Sequence, residues 1–184
     1  MSWLRNRGLK WILVLIVGSM AISDRLSSGV GDVLQVTLPL AGLGCAIAGG
    51  HGIQYTGRYV AVTLAMHASK RGLGETEINA RPNGGHHGMP SGHTTAAAFG
   101  ASGIAQHCLS GNPPAQIAAA FAAGIVGGSR IDVGAHDLWQ VMAGAILGWL
   151  GQLFGIAALD AGFRRLWFAM VRGTLGLIRA VRGA

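Results

Sequence analysis

Apolar stretches separated by short polar connections run through most of the chain. Six can be marked, at residues 9–23, 31–50, 53–68, 93–109, 115–129 and 137–159. A transmembrane helix needs about 20 mostly apolar residues, with a lower limit near ~17. Several stretches lie close to that limit, and the first and fifth are the shortest. The pattern predicts an all-α, polytopic membrane bundle of about six transmembrane helices, formed as one domain over residues 1–184.

The composition agrees with a membrane protein rather than with a soluble domain. Hydrophobic residues make up 51% of the chain and charged residues 11%, against about 25% charged in ordinary globular proteins. In the last stretch four glycines share one helix face, at Gly144, Gly148, Gly151 and Gly155. Small residues of this kind let transmembrane helices approach closely. We expect this face to pack within the chain, with a dimer interface as the alternative.

Positive charge is concentrated at the two ends of the chain, and the formal net charge is +7. The terminal cations are Arg5, Arg7 and Lys10, then Arg164, Arg165, Arg172, Arg179 and Arg182. This distribution is typical of cytoplasmic segments in membrane proteins, so both termini are expected in the cytoplasm. It does not predict nucleic-acid binding, because the cations do not alternate with aromatic residues on a polar face.

The order of the stretches also predicts which connections share a side of the membrane. With an even number of spans, the connections at 24–30, 69–92 and 130–136 lie on the non-cytoplasmic side. The tail from Asp160 predicts an amphipathic helix on the cytoplasmic surface. The first stretch could instead be a cleaved signal peptide. Cys45 and Cys108 could form a disulfide, but their apolar surroundings favour two buried free thiols.

Two clusters of polar residues fall on the non-cytoplasmic side. Polar groups near hydrocarbon are costly, so each cluster marks a candidate functional site. The first contains Lys70, Arg71, Arg81, His86, His87, Ser91 and His93. The second contains Ser129, Arg130, Asp132, His136, Asp137 and Gln140. Both adjoin predicted helix ends, and a helix bundle could bring them together.

These residue types suit the binding and transfer of a phosphoryl group. Arg81 and Arg130 supply planar guanidinium forks that match phosphate oxygens. The turn Pro-Ser-Gly-His at 90–93 leads into a predicted helix, whose free N–H groups and dipole favour an anion. His93 and His136 are enough for one acid and one nucleophile.

The same residues resemble the motifs of the type 2 phosphatidic acid phosphatase superfamily, the lipid phosphate phosphatases related to vanadium-dependent haloperoxidases. The three motifs of that family are KxxxxxxRP, PSGH and SRxxxxxHxxxD. The second is present from Pro90 to His93, and the third reads SRIDVGAHDLWQ from Ser129 to Gln140. The first is reduced to Arg81-Pro82. The motifs cover residues 70–140, and the layout of apolar stretches resembles the six-span bundle of the family.

The resemblance implies a role for each matching residue. His136 would attack phosphorus and form a phosphohistidine, and His93 would protonate the leaving oxygen and then help to activate water. Developing charge on the phosphate would be held by hydrogen-bond donors. Those donors would be Arg81, Arg130, Ser91 and the Gly92 backbone. The family's chemistry implies no metal and no cofactor.

Two positions depart from the family's motifs. Gly74 stands where the family has the motif lysine; Lys70, one helical turn earlier, is the expected replacement, with Arg71 as the alternative. Gln140 stands where the family usually has Asp, so it could fix the tautomer of His136 without bringing charge. Dolichyl diphosphate phosphatases of the same superfamily resemble this chain in having Gln there. We therefore expect a working site, in which Gln140→Asp preserves or raises turnover.

Together these observations predict a metal-independent lipid phosphatase of the bacterial inner membrane, with its active site facing the periplasm. The substrate would be a lipid phosphomonoester or diphosphate: an isoprenyl diphosphate, a lipid A phosphate, phosphatidylglycerol phosphate or phosphatidic acid, the first two being preferred. A lipid phosphotransferase and a non-catalytic phospholipid-binding membrane protein are the alternatives. A metal site at His86, His87 and His93 is a weaker hypothesis, because adjacent histidines chelate poorly and no acidic or thiol ligand accompanies them. The oligomeric state is left open.

Overall fold

The computed structural model describes residues 27–153, together with isolated positions of the C-terminal tail at 165, 168, 169 and 172. The continuous part forms five α-helices and no strand. The helices are α1 Ser27–Ala48, α2 Gly52–Leu73, α3 Gly92–His107, α4 Pro113–Asp132 and α5 Leu138–Leu153, with a 3-10 turn at Glu77–Asn79. The predicted all-α class is confirmed for these residues. The predicted span at 9–23 and the amphipathic tail helix lie outside the part that is described.

Five of the predicted apolar stretches correspond to α1 through α5, with small differences at the ends. Among the described helices, α1 alone is long and apolar enough to cross a membrane, over Gly29–Ala48 with a mean hydropathy of 1.5. Helices α3 and α5 contain 16 residues each in the described range, fewer than the ~20 that a span usually needs. The predicted number of six spans is therefore not confirmed.

Helix α3 is the central helix of the described bundle. Eleven of its 16 residues are buried, and it packs against α1, α4 and α5. Its surface consists largely of alanine, glycine, serine and threonine, which let neighbouring backbones approach closely. A methyl group at Gly100, for example, would strike the backbone of Leu38 and Pro39 in α1. These close approaches hold α3 at the centre of the bundle.

The glycine face of α5 packs within the chain, as the sequence predicts. A methyl group at Gly144 would lie 2.6 Å from the carbonyl oxygen of Ser91, at the start of α3. One at Gly148 would strike the α3 backbone at Thr95, and one at Gly151 would strike a side chain of α2. Three of the four glycines therefore seat α5 against α3 and α2, and Gly155 lies outside the described residues.

The two cysteines form a disulfide. The Cα atoms of Cys45 and Cys108 are 5.4 Å apart, so the expectation of two free thiols is wrong. The bridge joins the last turn of α1 to the residue that ends α3. Sequence spacing could not reveal it, because 63 positions separate the cysteines and their meeting depends on how α1 lies beside α3.

Candidate active site

Both predicted polar clusters meet at one end of the bundle. The starts of α1, α3 and α5 lie there, with the ends of α2 and α4 and the connection between α2 and α3. Hydrogen bonds join α2 to this connection, the connection to α5, and α5 to the start of α3. An ion pair joins α1 to α4. Segments that are far apart in sequence therefore form one polar site.

His136 and Gln140 form a buried pair at the start of α5. Nδ1 of His136 lies 2.9 Å from Oε1 of Gln140, and Nε2 of Gln140 donates to the carbonyl of Ala80 at 2.6 Å. Because the amide nitrogen must face Ala80, the amide oxygen faces the imidazole and accepts from Nδ1–H. The remaining ring nitrogen, Nε2 of His136, then carries the lone pair that a nucleophile needs.

The surroundings of His136 favour its neutral form. Burial lowers the pKa of this imidazole below its ordinary value, and the positive charges of Arg81 and Lys70 and the ring of His93 lower it further. The hydrogen bond to Gln140 acts in the opposite direction on the same pKa and is outweighed. The backbone N–H of His136 donates to the carbonyl of Arg130 at 3.1 Å, which links the two ends of the third motif.

Lys70 and Arg81 lie together beside His136. The Lys70 ammonium donates to the carbonyl of His87 at 2.7 Å, and Nη2 of Arg81 lies 3.4 Å from the same oxygen. Lys70 lies at the end of α2, outside the apolar stretch at 53–68. Burial and the charge of Arg81 lower the pKa of Lys70 to about 8. Arg71 is exposed. Of the two candidates for the missing motif lysine, Lys70 is the one beside Arg81.

Asn79, which the motifs do not include, anchors the connection that carries Arg81. Its side chain is fully buried and donates to the carbonyls of Lys70 at 2.9 Å and Gly74 at 2.6 Å. Its Oδ1 accepts from the backbone N–H of Met89 at 2.9 Å. No sequence signal distinguishes this asparagine from other loop residues.

The PSGH turn forms the start of α3 against α5. Ser91 is the N-cap residue, and its backbone N–H donates to the carbonyl of Gln140 at 2.9 Å. The Ser91 side chain is fully buried, and its hydroxyl oxygen accepts from the hydroxyl of Thr94 at 3.0 Å. The first N–H groups of α3, from Gly92 onward, have no partner within the helix, as at any helix start. The helix end that the sequence predicts to bind an anion is thus next to the His136–Gln140 pair.

Arg130 and His93 share a partner that sequence reasoning missed, Asp32 of α1. Nη1 of Arg130 donates to Oδ1 of Asp32 at 3.0 Å, and Nε2 of His93 lies 3.4 Å from the same oxygen. Nε of Arg130 donates to the hydroxyl of Ser129 at 3.2 Å. A signal was available, because Asp32 is the one charged residue in the apolar stretch at 31–50.

The remaining polar residues of the predicted clusters lie outside this arrangement. His86 is exposed, and Asp132 is exposed at the end of α4. Asp137 accepts from the backbone N–H of Gln140 at 2.8 Å, so its carboxylate caps α5 rather than contacting an imidazole. In the part of the chain that is described, no three His, Cys, Asp or Glu side chains are grouped so as to hold a metal ion.

Comparison with known proteins gives one match. The family model of the PAP2 superfamily matches residues 11–163 of the 184. The matched range includes α1 through α5 and every residue of the site described above. No curated protein and no solved structure gives a significant match.

Proposed function

Because the chain belongs to the PAP2 superfamily, we propose that it hydrolyses a phosphomonoester or diphosphate of a membrane lipid, with His136 as the nucleophile. Members of this superfamily are phosphatases, which supports a phosphoric ester hydrolase acting on a phosphorylated substrate. The observation that carries the proposal is the His136–Gln140 pair, which leaves Nε2 of a neutral imidazole unprotonated beside two cations.

In the first step, the lone pair on Nε2 of His136 forms a bond to phosphorus. The bond from phosphorus to the leaving oxygen breaks, and its electron pair stays on that oxygen. His93 gives its proton to the leaving oxygen, so the lipid product departs as a neutral hydroxyl or a protonated phosphate. His136 is left as a phosphohistidine whose Nδ1–H still donates to Gln140.

In the second step, water attacks phosphorus and the nitrogen–phosphorus bond breaks. Its electron pair returns to Nε2 of His136, and one proton of the water passes to His93. Inorganic phosphate is released and both imidazoles regain their starting states. The two steps together add one water to one phosphate ester or diphosphate, and the groups that they require are side chains of this chain.

The phosphate oxygens gain charge in both transition states and need fixed donors. Arg81 is suited to this task, because its Nε is buried and has no hydrogen-bond partner among the described residues. Lys70, Arg130, Ser91 and the backbone N–H of Gly92 are the other proposed donors. Since Nη1 of Arg130 already donates to Asp32, we expect Arg81 and Lys70 to hold more of the phosphate charge.

The lipid substrate and the membrane location are also part of the proposal. Support comes from α1, which over Gly29–Ala48 is long and apolar enough to cross a membrane. This helix begins at the end of the bundle that carries the site, so the headgroup of a lipid beside it would lie near the polar residues. The concentration of arginines at the termini favours an inner-membrane protein whose site faces the periplasm.

Phosphate release from a panel of lipids tests the proposal. The panel contains phosphatidic acid, phosphatidylglycerol phosphate, an isoprenyl diphosphate and a lipid A phosphate, each presented in detergent micelles to the full-length chain. We expect wild type to release phosphate from at least one of them and His136→Ala to release at most ~1% as much, because the covalent step is lost.

His86→Ala is the matched control, since His86 is an exposed histidine of the same end, and it should retain wild-type release. Equal phosphate release by wild type and His136→Ala would refute the proposed phosphatase activity and favour a non-catalytic lipid-binding protein. Appearance of labelled phosphate on a second lipid would instead identify a phosphotransferase.

A further inference from the structure

Asp32 is the acidic residue that contacts the site from α1. Its Oδ1 lies 3.0 Å from Nη1 of Arg130 and 3.4 Å from Nε2 of His93. The side chain of Asp32 is about half exposed, whereas that of Arg130 is 8% exposed. One oxygen of the Asp32 carboxylate therefore contacts both His93, the predicted acid, and Arg130, a predicted hydrogen-bond donor to phosphate. The rest of the Asp32 side chain is exposed to solvent.

The backbone of α1 is adapted to this contact. Gly31 is buried, and a methyl group there would strike the hydroxyl of Ser129 and lie 2.9 Å from Nη2 of Arg130. A side chain at position 31 would displace the Ser129 hydroxyl or the Arg130 guanidinium from this contact. Gly31 thus leaves room for the Arg130 side chain, and Asp32 supplies the carboxylate that accepts its hydrogen bond.

The two imidazoles of the site have partners of different charge. His136 faces a neutral amide, which suits a nucleophile that must be uncharged. His93 faces a carboxylate, which suits an acid that must carry a proton although Arg130 and Arg81 are nearby. Pairs of titratable groups in contrasting environments are how active sites divide acid and base roles.

We propose that Asp32 is a positioning residue for His93, and that this pair makes the site selective for phosphomonoesters over diphosphates. The inference rests on the proposed phosphatase function. Asp32 engages Nε2 of His93, which leaves the opposite nitrogen, Nδ1, to donate to the leaving oxygen; other carboxylate–histidine pairs also divide the two ring nitrogens between an orienting acid and the substrate. The negative charge of Asp32 opposes the effect of the two arginines on His93 and favours the protonated ring that donates to the leaving oxygen.

The selectivity follows from the chemistry of the leaving group. An alkoxide released from a phosphomonoester is strongly basic and needs a proton as its bond to phosphorus breaks. A lipid phosphate released from a diphosphate is weakly basic and needs little help. It also carries negative charge, and the carboxylate of Asp32 reduces the positive charge that Arg130 and His93 would otherwise offer it. The same residue therefore assists one substrate class and opposes the other.

The test compares kcat/KM of full-length wild type and Asp32→Asn on three probes in detergent micelles. The probes are hexadecyl phosphate, 4-nitrophenyl phosphate and farnesyl diphosphate. Asp32→Asn should lose about 10- to 100-fold on hexadecyl phosphate, because general acid catalysis of alkoxide departure is weakened. It should lose less than about 3-fold on 4-nitrophenyl phosphate, whose leaving group needs no acid, and should not lose activity on the diphosphate.

Retained hydrolysis of 4-nitrophenyl phosphate also shows that the variant is folded. Asp32→Glu, which keeps the charge, should recover part of the hexadecyl phosphate activity, and Glu75→Gln, at an exposed carboxylate of the same end, should match wild type on all three probes. An equal loss on the three probes, or a gain on all of them, would overturn this inference alone. No phosphate release by wild type from any probe would overturn the proposed function and this inference with it.

Discussion

At the scale of single residues, Gln140 is the position where chemistry and packing are most closely joined. Its side chain is fully buried and uses its oxygen for His136 and its nitrogen for the Ala80 carbonyl. The backbone of Gly88 lies so close to its amide that a methyl group there would lie 2.5 Å from it. Gln140 therefore orients the nucleophile and holds the connection between α2 and α3.

These contacts change the expectation for substitutions at Gln140. From the motif alone, Gln140→Asp should preserve or raise turnover. An aspartate, however, is shorter and cannot donate to Ala80, and a buried carbonyl left without a donor costs about 1–3 kcal/mol. We now expect Gln140→Asp to lower kcat/KM by about 10-fold and Gln140→Leu by at least as much, because each disturbs the imidazole. Steady-state phosphate release measures both, and a fully active Gln140→Leu would remove this residue from the mechanism.

The charges around His136 predict how activity depends on pH. Activity requires the neutral imidazole, and the lowered pKa of His136 moves the acidic limb of kcat/KM to lower pH than an ordinary histidine would give. Removing a nearby positive charge relieves part of that lowering, so Lys70→Gln should move the acidic limb to higher pH as well as reduce activity. Arg71→Gln, which removes an exposed cation, should leave the limb in place. An unmoved limb in Lys70→Gln would mean that this charge does not act on His136.

The residues of the site were predictable where a motif fixes both type and spacing. His93, Arg130 and His136 lie together, as the motifs indicate. Asp32 and Asn79 were missed, because each acts through partners 50 or more residues away or through backbone atoms that no spacing rule describes. Partners of this kind depend on tertiary packing, which a sequence pattern alone does not specify.

At the scale of helices, the close contact between α3 and α5 depends on glycine. Gly148 faces backbone atoms of Thr95 and Phe99 in α3. A side chain at position 148 therefore cannot be accommodated by a change of rotamer in α3. The periodic glycines predicted this packing correctly. Which helix they would face could not be predicted, since several helices of the chain are equally apolar.

Substitution of Gly148 should therefore destabilise the bundle. Overpacking of a tight interface costs about 1–3 kcal/mol, so Gly148→Val should lower the midpoint of thermal unfolding in detergent and reduce phosphatase activity in parallel. Gly124→Val is the matched control, because nothing lies within 4 Å of a methyl group at Gly124. A Gly148→Val protein as stable as the Gly124→Val protein would contradict a close contact between α3 and α5.

At the scale of the whole molecule, the disulfide and the site lie at opposite ends of the bundle. At ~1.5 Å per residue, Cys45 is about 20 Å along α1 from Asp32. If the site faces the periplasm, the cysteines face the cytoplasm, where thiols are kept reduced. Disulfides persist in oxidising compartments and are rare in the cytoplasm, so the bridge between Cys45 and Cys108 argues against a site that faces the periplasm, and the orientation needs a test of its own.

Thiol labelling in intact cells tests the orientation. Cys45 and Cys108 are joined in a disulfide, so neither should react with a membrane-impermeant maleimide and obscure an introduced cysteine. The impermeant reagent should reach His86→Cys, at an exposed position of the site end, but not Arg165→Cys in the tail. A protected His86→Cys together with a labelled Arg165→Cys would place the site on the cytoplasmic side.

The side chain of Asn79 limits the changes of length that the segment between α2 and α3 can accommodate. By bonding Lys70 and Gly74 on one side and Met89 on the other, it divides the segment between α2 and α3 into two closed rings. Insertions within either ring would shift Lys70 or Arg81 relative to His136. Even the exposed tip at 82–84 is closed by backbone hydrogen bonds that join Arg81 to Gly84 and Gly85, so a longer segment at any of these points should cost activity.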